Sequence, residues 1–446
     1  MAPFDGITGS SAAEIASAVR ERVDNGLLLP GEPLPPIRQL ATALGLNRNT
    51  VAAAYAQLSG AGIVESRRRG GTIVRELPRV DGEGAISPAT ESNLAAGNPD
   101  AALLPALTGD FTRGYAHFLY GAAPVSSSLR SWTATHMSPD VDPPHDLVVT
   151  HGAVDAVERL LDAYLTRGDL VAVEDPCFLS SIGTLRLNGY RSAPVTVDSH
   201  GMRPDSLERA LAAGARSVIC TPRAHNPTGA SVTSERAHEL AAVIGQYPNV
   251  LVIEDDHFSA ISAKPYNRIT PASTLHWALV RSVSKFLGPD LRLALVLADP
   301  ETSSRLESRL SSATTWVSHL LQHIVAMMLD DPAVLSRLDE ARAEYAERSS
   351  RLTAALRALG IPVNPDTDGL NVWIPVGARE TRVVAELSEL GWAVQPGSAY
   401  ALTGRSARAI RVTTARISIQ DTIRFATDLA AVLGSRGHLA RKETVD

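Results

Sequence analysis

The apolar positions divide the chain into a short N-terminal stretch of helical spacing and a long stretch of alternating runs. Ile15, Val19 and Val23 recur four residues apart behind Ser11-Ala12-Ala13-Glu14, whose Ser and Glu have capping-box spacing. A helix therefore opens at Ser11 and closes near Gly26. Leu29-Pro30-Gly31 is a turn. A second helix starts near Pro36, a residue tolerated in a first turn, and carries Arg38, Leu40 and Leu44. Gly45-Leu46-Asn47 breaks it, and Asn47 is placed to cap a third helix. That helix begins Arg48-Asn49-Thr50-Val51, passes Tyr55 to Leu58 and stops at Gly60 and Gly62. A strand from Ile63 to Ser66, a basic turn from Arg67 to Gly71 and a strand from Thr72 to Arg75 predict a hairpin. The order helix, helix, glycine turn, helix, hairpin is that of a winged helix-turn-helix.

Leu77 to Ser92 has no periodicity and is rich in Pro, Gly and acids, so it reads as a linker. Sixteen residues of flexible chain span roughly 20–24 Å. The expected division is a DNA-binding domain at 1–77, a linker at 78–92 and a body at 93–446. From Asp146 onward, apolar runs alternate with helix-length segments such as Ala153–Leu165 and Ser234–Gln246. Leu147–Thr150, Leu170–Val173, Ser217–Cys220, Val250–Ile253 and Leu293–Leu297 predict buried strands of a mainly parallel sheet covered by helices. The fold class is α/β. Pro332–Leu359 predicts a long amphipathic helix, and a smaller α/β part, about 330–446, follows.

Charge sharpens the division. Between Pro36 and Arg79 stand seven Arg and two Glu, a balance of +5, so the rest of the −6 chain carries −11. A small basic segment on an acidic body fits a nucleic-acid-binding module joined to something else. The basic and polar residues fall at the start of the third helix, which would enter the major groove, and on the hairpin, which suits phosphates. Cys177 and Cys220 have no metal-like or disulfide-like spacing. No apolar run approaches the ~20 residues that span a bilayer, and no secretory signal is visible, so a cytoplasmic protein is expected.

The lysines are Lys264, Lys285 and Lys442, and Lys285 stands apart. Ser282-Val283-Ser284-Lys285, with Gly288 and Arg292, sets hydroxyls, an amine and a guanidinium within eleven residues. Upstream lie Thr150-His151-Gly152-Ala153-Val154, a strand–glycine–helix junction whose free N–H groups suit a phosphate, and Pro176-Cys177-Phe178. Asn226-Pro227-Thr228-Gly229 and Ile253-Glu254-Asp255-Asp256-His257 follow. Each is weak alone, and core packing or a plain turn would explain it. Together they supply what pyridoxal 5′-phosphate (PLP) needs: an amine for an imine, an acid for the pyridine nitrogen, phosphate donors and a flat group against the ring.

The run Leu34–Ala41, Leu44–Val51, Tyr55, Leu58, Gly62 and Gly70-Gly71-Thr72 resembles the GntR-type DNA-binding domain. That resemblance implies operator contacts from Arg38, Arg48, Asn49 and Thr50 and from the wing residues Arg68, Arg69 and Gly70. The later motifs, in their order, resemble the class I/II aminotransferases of PLP fold type I, with large and small domains, over roughly residues 93–435. The resemblance implies that Lys285 forms the internal aldimine, Asp255 pairs with the pyridinium, Asn226 bonds the ring hydroxyl and Phe178 stacks on the ring. It assigns the phosphate to Ala153, Val154, Ser282, Ser284 and Arg292, with Tyr120 reaching it from a second subunit. It gives Arg411 the substrate carboxylate. A GntR-type domain before such a body is the arrangement of the MocR regulators, and the chain is most similar to their vitamin B6 salvage branch. The implied protein is a homodimer that binds double-stranded operator DNA, takes PLP as effector and represses a pyridoxal kinase-type gene. One residue departs from the aminotransferase pattern: His257 stands where those enzymes have a tyrosine near the ring hydroxyl, and an imidazole changes charge near neutral pH. The alternatives are an active aminotransferase carrying a DNA-binding domain and a regulator that senses an amino acid through bound PLP.

Overall fold

In the computed structural model the described residues are 6–61, 63–67, 71–75, 92–107, 113–403 and 408–434. The chain separates into two compact units, Met1–Arg79 and Val80–Asp446.

The first unit contains α1 (Ala12–Asp24), α2 (Ile37–Leu44), α3 (Arg48–Gly60) and the antiparallel pair β1 (Val64–Arg67) and β2 (Gly71–Val74). Ser11 caps α1 by accepting from the Glu14 N–H, but Glu14 reaches back to the Ser10 N–H at 2.8 Å, one residue beyond the expected box. Pro36 is the N-cap of α2, just outside the first turn where the sequence put it. Gly45 ends α2 at φ 66°, and Asn47 caps α3 by accepting from Asn49 at 2.9 Å. The wing strands are displaced by one residue from the expected bounds. Ile15, Val19, Leu40, Val51, Leu58 and Val64 form a core of their own. Buried Tyr55 donates to the Pro35 carbonyl at 2.7 Å, tying α3 to the start of α2.

The second unit begins with β3 (Ser92–Asn93) and α4 (Ser127–His136). Then come β4 (Asp146–Thr150), α5 (Ala153–Tyr164), β5 (Leu170–Asp175), α6 (Leu179–Asn188), β6 (Arg191–Asp198), β7 (Gly201–Met202), α7 (Pro204–Ala212), β8 (Ala215–Cys220), α8 (Ser234–Ile244), β9 (Leu251–Asp255), β10 (His276–Ser282), β11 (Ala294–Ala298) and α9 (Pro300–Ala313). They build one sheet in the order β4-β11-β10-β9-β8-β5-β6-β7. Neighbours from β10 to β6 pair in parallel, while β11 runs antiparallel to β10 and β4. Both faces are covered, which is why the strands are apolar throughout. Leu147, Val149, Val252 and Leu279 face one core, and Val148, Val171, Ile253 and Val280 the other. All five expected strands are present. The sequence missed β6, whose buried Ala193 and Val195 alternate with exposed residues, and β10, whose apolar run is only Trp277–Val280 before it gives way to Arg281 and Ser282.

The chain continues through α10 (His319–Asp330) and the 27-residue α11 (Pro332–Ala358). A smaller layer follows: β12 (Asn371–Pro375), α12 (Glu380–Glu389), β13 (Trp392–Ala393), β14 (Gln395–Pro396), β15 (Ala409–Thr413) and α13 (Ile419–Gly434). Its sheet has the order β12-β15-β14. It also takes in chain from much earlier: β3 pairs with β13, and Leu94 is buried in its core beside Val372, Val412 and Phe425. Among the described residues no helix is long and apolar enough to cross a membrane.

Candidate functional site

Lys285 lies just beyond the end of β10, in a turn fixed by the Val283 N–H to Leu293 O and the Leu287 N–H to Val283 O. It lines a cavity of about 380 Å³. The walls come from residues at the C-terminal ends of β4, β5, β9 and β10, where open α/β sheets hold ligands. Ala153, Val154, Phe178, Asp255, His257, Ser282, Ser284, Lys285 and Arg292 are brought together there, although they span 140 positions of chain from 153 to 292. The sequence missed Asn98, Pro99, Ser180 and Pro289, which complete the lining. The Lys285 Nζ donates to the carbonyl of Gly97 at 2.9 Å.

Strand alternation sorts the three acids at the end of β9. Glu254 faces away from the cavity and accepts from the Tyr266 hydroxyl, the Ile269 N–H and the Thr270 hydroxyl. Burial pushes its carboxyl above the usual range. Asp256 is fully buried between Arg223 at 2.6 Å and Arg281 at 2.8 Å. Asp255 alone of the three lines the cavity. Its Oδ1 lies 3.2 Å from the His257 Nδ1. The His257 ring is within 5.7 Å of Phe178, at 28°, and 4.6 Å from Phe258. Among the described residues Asp255 Oδ1, both ring nitrogens of His257 and the Ser284 hydroxyl are buried without a hydrogen-bond partner. Buried polar atoms left this way are costly unless a ligand meets them.

The opposite end is built for an anion. Gly152, at φ 100° and ψ 169°, turns the chain from β4 into α5, and no side chain caps that helix. Its first N–H groups therefore point at the cavity mouth with the positive end of the helix dipole. A Cβ on Gly152 would be strained at this φ and would lie 3.3 Å from the Arg292 guanidinium, which would have to give way by a few tenths of an ångström. Arg292 itself has a left-handed backbone, φ 42°, a strain that collects at ligand clamps. The Ser282 hydroxyl accepts from the Ser284 N–H at 3.2 Å.

Asn226 and Arg411 form a second group. Arg411, 1% exposed, donates to Asn226 Oδ1 at 3.1 Å and to the Ala95 carbonyl at 2.6 Å. Neither lies on the cavity wall itself. The loop holding Asn226 turns at Gly229, φ 69°, where a Cβ would sit 2.8 Å from the Asn371 carbonyl. Tyr120 is not brought to the cluster. It is 91% exposed, with its ring 5.7 Å from Trp316. In the first unit Arg38, Arg48 and Asn49 are exposed and Thr50 half-buried, the last three at the start of α3. Arg68, Arg69 and Gly70 lie outside the described residues. The described residues contain no group of His, Cys, Asp and Glu that would hold a metal ion.

The cavity thus offers an amine, a buried carboxylate, a flat ring and an anion cradle, the groups that a phosphorylated aromatic aldehyde would use. Residues 90–429 match the family described as Aminotransferase class I and II, and residues 11–74 match Bacterial regulatory proteins, gntR family. The chain is 44% identical to the vitamin B6 salvage pathway transcriptional repressor PtsJ of Salmonella typhimurium, over 96% of this chain and 99% of that protein. It is 26% identical to the pyridoxine biosynthesis transcriptional regulator PdxR of Corynebacterium glutamicum, over 88% and 89% of the two chains. Among solved structures, a kynurenine aminotransferase of Pyrococcus horikoshii superposes with a TM-score of 0.67 at 19% identity, covering 78% of this chain and 92% of that one.

Proposed function

Because this chain belongs to the MocR-type regulators, in which a gntR-family DNA-binding domain precedes a class I and II aminotransferase body, we propose that it represses a vitamin B6 salvage gene and takes PLP as its effector. PLP is the cofactor of this body. When bound it supplies an aldehyde for an amine and a ring that withdraws electrons. Lys285 would hold the aldehyde carbon, and Asp255 would keep the ring nitrogen protonated. Phe178 would lie against the ring. The start of α5, Ser282, Ser284 and Arg292 would bind the phosphate, with Tyr120 of a second copy. Arg48, Asn49 and Thr50 at the head of α3 would meet base edges, and Arg38 a phosphate. Operator symmetry asks for two such heads, so the working form is a cytoplasmic homodimer.

The observation that carries this reading is the clustering of the buried Asp255–His257 pair and the Ser284 hydroxyl, whose atoms make no hydrogen bond, around Lys285 in a chain that also bears a DNA-binding domain. Operator affinity across a PLP titration tests it. PLP shifts the protein between states only by its differential affinity for them. Wild type should change its operator affinity with PLP, and Lys285→Ala should still bind DNA but need more PLP to respond. A wild-type curve flat in PLP, beside measurable amino-group transfer, would favour an aminotransferase instead. Arg411 beside Asn226 is the feature that supports that second reading, and also an amino acid as co-effector.

A further inference from the structure

The segment Ser92–Asp100 is the first described chain after the linker, and it touches both functional groups of the body. On one side it is stitched to the smaller layer. Leu94 donates to the Ala393 carbonyl at 2.9 Å, Thr413 donates to the Leu94 carbonyl at 2.8 Å, and the Gly97 N–H donates to the Thr413 hydroxyl at 3.1 Å. Its far end is anchored by Asp100, which pairs with Arg348 at 2.9 Å. On the other side its carbonyls face the site: Gly97 accepts from Lys285 and Ala95 accepts from Arg411. Asn98 and Pro99 form part of the cavity wall.

We propose that Ser92–Asp100 is a strap that reports occupancy of the cavity to the root of the linker. This rests on the reading of Lys285 as the residue that takes the cofactor. Condensation of the Lys285 amine with an aldehyde forms a carbon–nitrogen double bond and releases the carbonyl oxygen as water. The nitrogen keeps at most one of the amine's protons and is tethered to the aldehyde carbon, so its hydrogen bond to Gly97 is weakened. A ligand carboxylate at Arg411 would compete in the same way for the group that holds Ala95. Both ligand chemistries thus loosen one strand of chain, and that strand leads through residues 76–91 to the DNA-binding unit. A carbonyl that loses its donor must find water or move.

Hydrogen exchange on the full-length protein tests this. Saturating PLP should speed exchange of the amides from Leu94 to Asp100 several-fold in wild type, and much less in Lys285→Ala. Thr413→Val, which removes the acceptor for Gly97 and the donor to Asn371 while leaving every residue of the cavity wall in place, should raise exchange there without PLP and shrink the PLP response of operator binding, while the visible absorbance of bound PLP still develops. Strap exchange indifferent to PLP in wild type overturns the proposal, whatever Thr413→Val does. If operator affinity responds to PLP while the strap does not, the effector reading stands and the strap falls. If the strap responds and operator affinity does not, the strap stands and the effector reading falls.

Discussion

His257 carries an imidazole into a position walled by Phe178, Phe258 and Asp255. A phenol there would offer one oxygen; an imidazole offers two nitrogens, and its Nδ1 lies 3.2 Å from Asp255 Oδ1. His257→Tyr should shift the absorbance–pH curve of bound PLP and speed any amino-group transfer. If curve and rate both stay put, His257 does not act on the cofactor. Glu254 makes a different forecast. Burial raises its pKa in the folded chain, so between the ordinary carboxylate range and that raised value the folded state keeps a proton the unfolded chain has released. Stability should fall as pH rises through that window, and Glu254→Gln should flatten the dependence. Parallel melting curves of the two proteins would show it, and identical slopes would refute it. At this scale the sequence disclosed residues whose type is unusual for their setting, such as Lys285 and His257. It was silent on Gly97, Asn98 and Pro99, because their role comes from a contact 188 positions away that no local pattern encodes.

An element acts through its end as much as through its residues. The head of α5 is offered to the cavity because Gly152 adopts a backbone essentially closed to other residues, φ 100° and ψ 169°. Gly152→Ala should cost about 1–3 kcal/mol in that conformation. It also pushes against Arg292, so PLP affinity should fall along with Tm; a calorimetric PLP titration that matched wild type would refute the cradle. The head of α3 makes the parallel case for DNA. Arg48 is exposed one residue past the Asn47 cap, and Arg48→Ala should cost about 1–3 kcal/mol in operator binding and relax specificity if it reads a guanine. Equal affinity for operator and scrambled duplex in both proteins would count against a base contact. Elements with long apolar runs or clear caps were legible from sequence. β6 and β10 were not, because one alternates at the side of the sheet and the other gives its last residues to the site.

The whole molecule divides its labour between a small unit with its own core and a body that holds the site. Residues 1–77 alone should therefore fold but bind operator more weakly than the full chain, because the proposed dimer of the body would double the contacts. Tyr120 provides a direct test of that dimer. At 91% exposure, beside Leu119 at 79%, it touches its own subunit through the Trp316 ring, yet the aminotransferase pattern gives it a phosphate to bind. If it serves a second copy, Tyr120→Ala should weaken PLP binding, and Lys285→Ala should abolish the visible band, each at both sites of its own homodimer. A mixed dimer of the two variants behaves differently. The subunit that keeps Lys285 faces a partner that keeps Tyr120, so one of its two sites is complete. Co-expressed, separately tagged variants should thus recover about half the wild-type visible absorbance per dimer, at PLP levels that fill wild-type sites but not Tyr120→Ala sites, which neither parent shows. A mixed dimer no better than the average of its parents would place Tyr120 outside the partner's site and leave the phosphate to the α5 head, the serines and Arg292 alone.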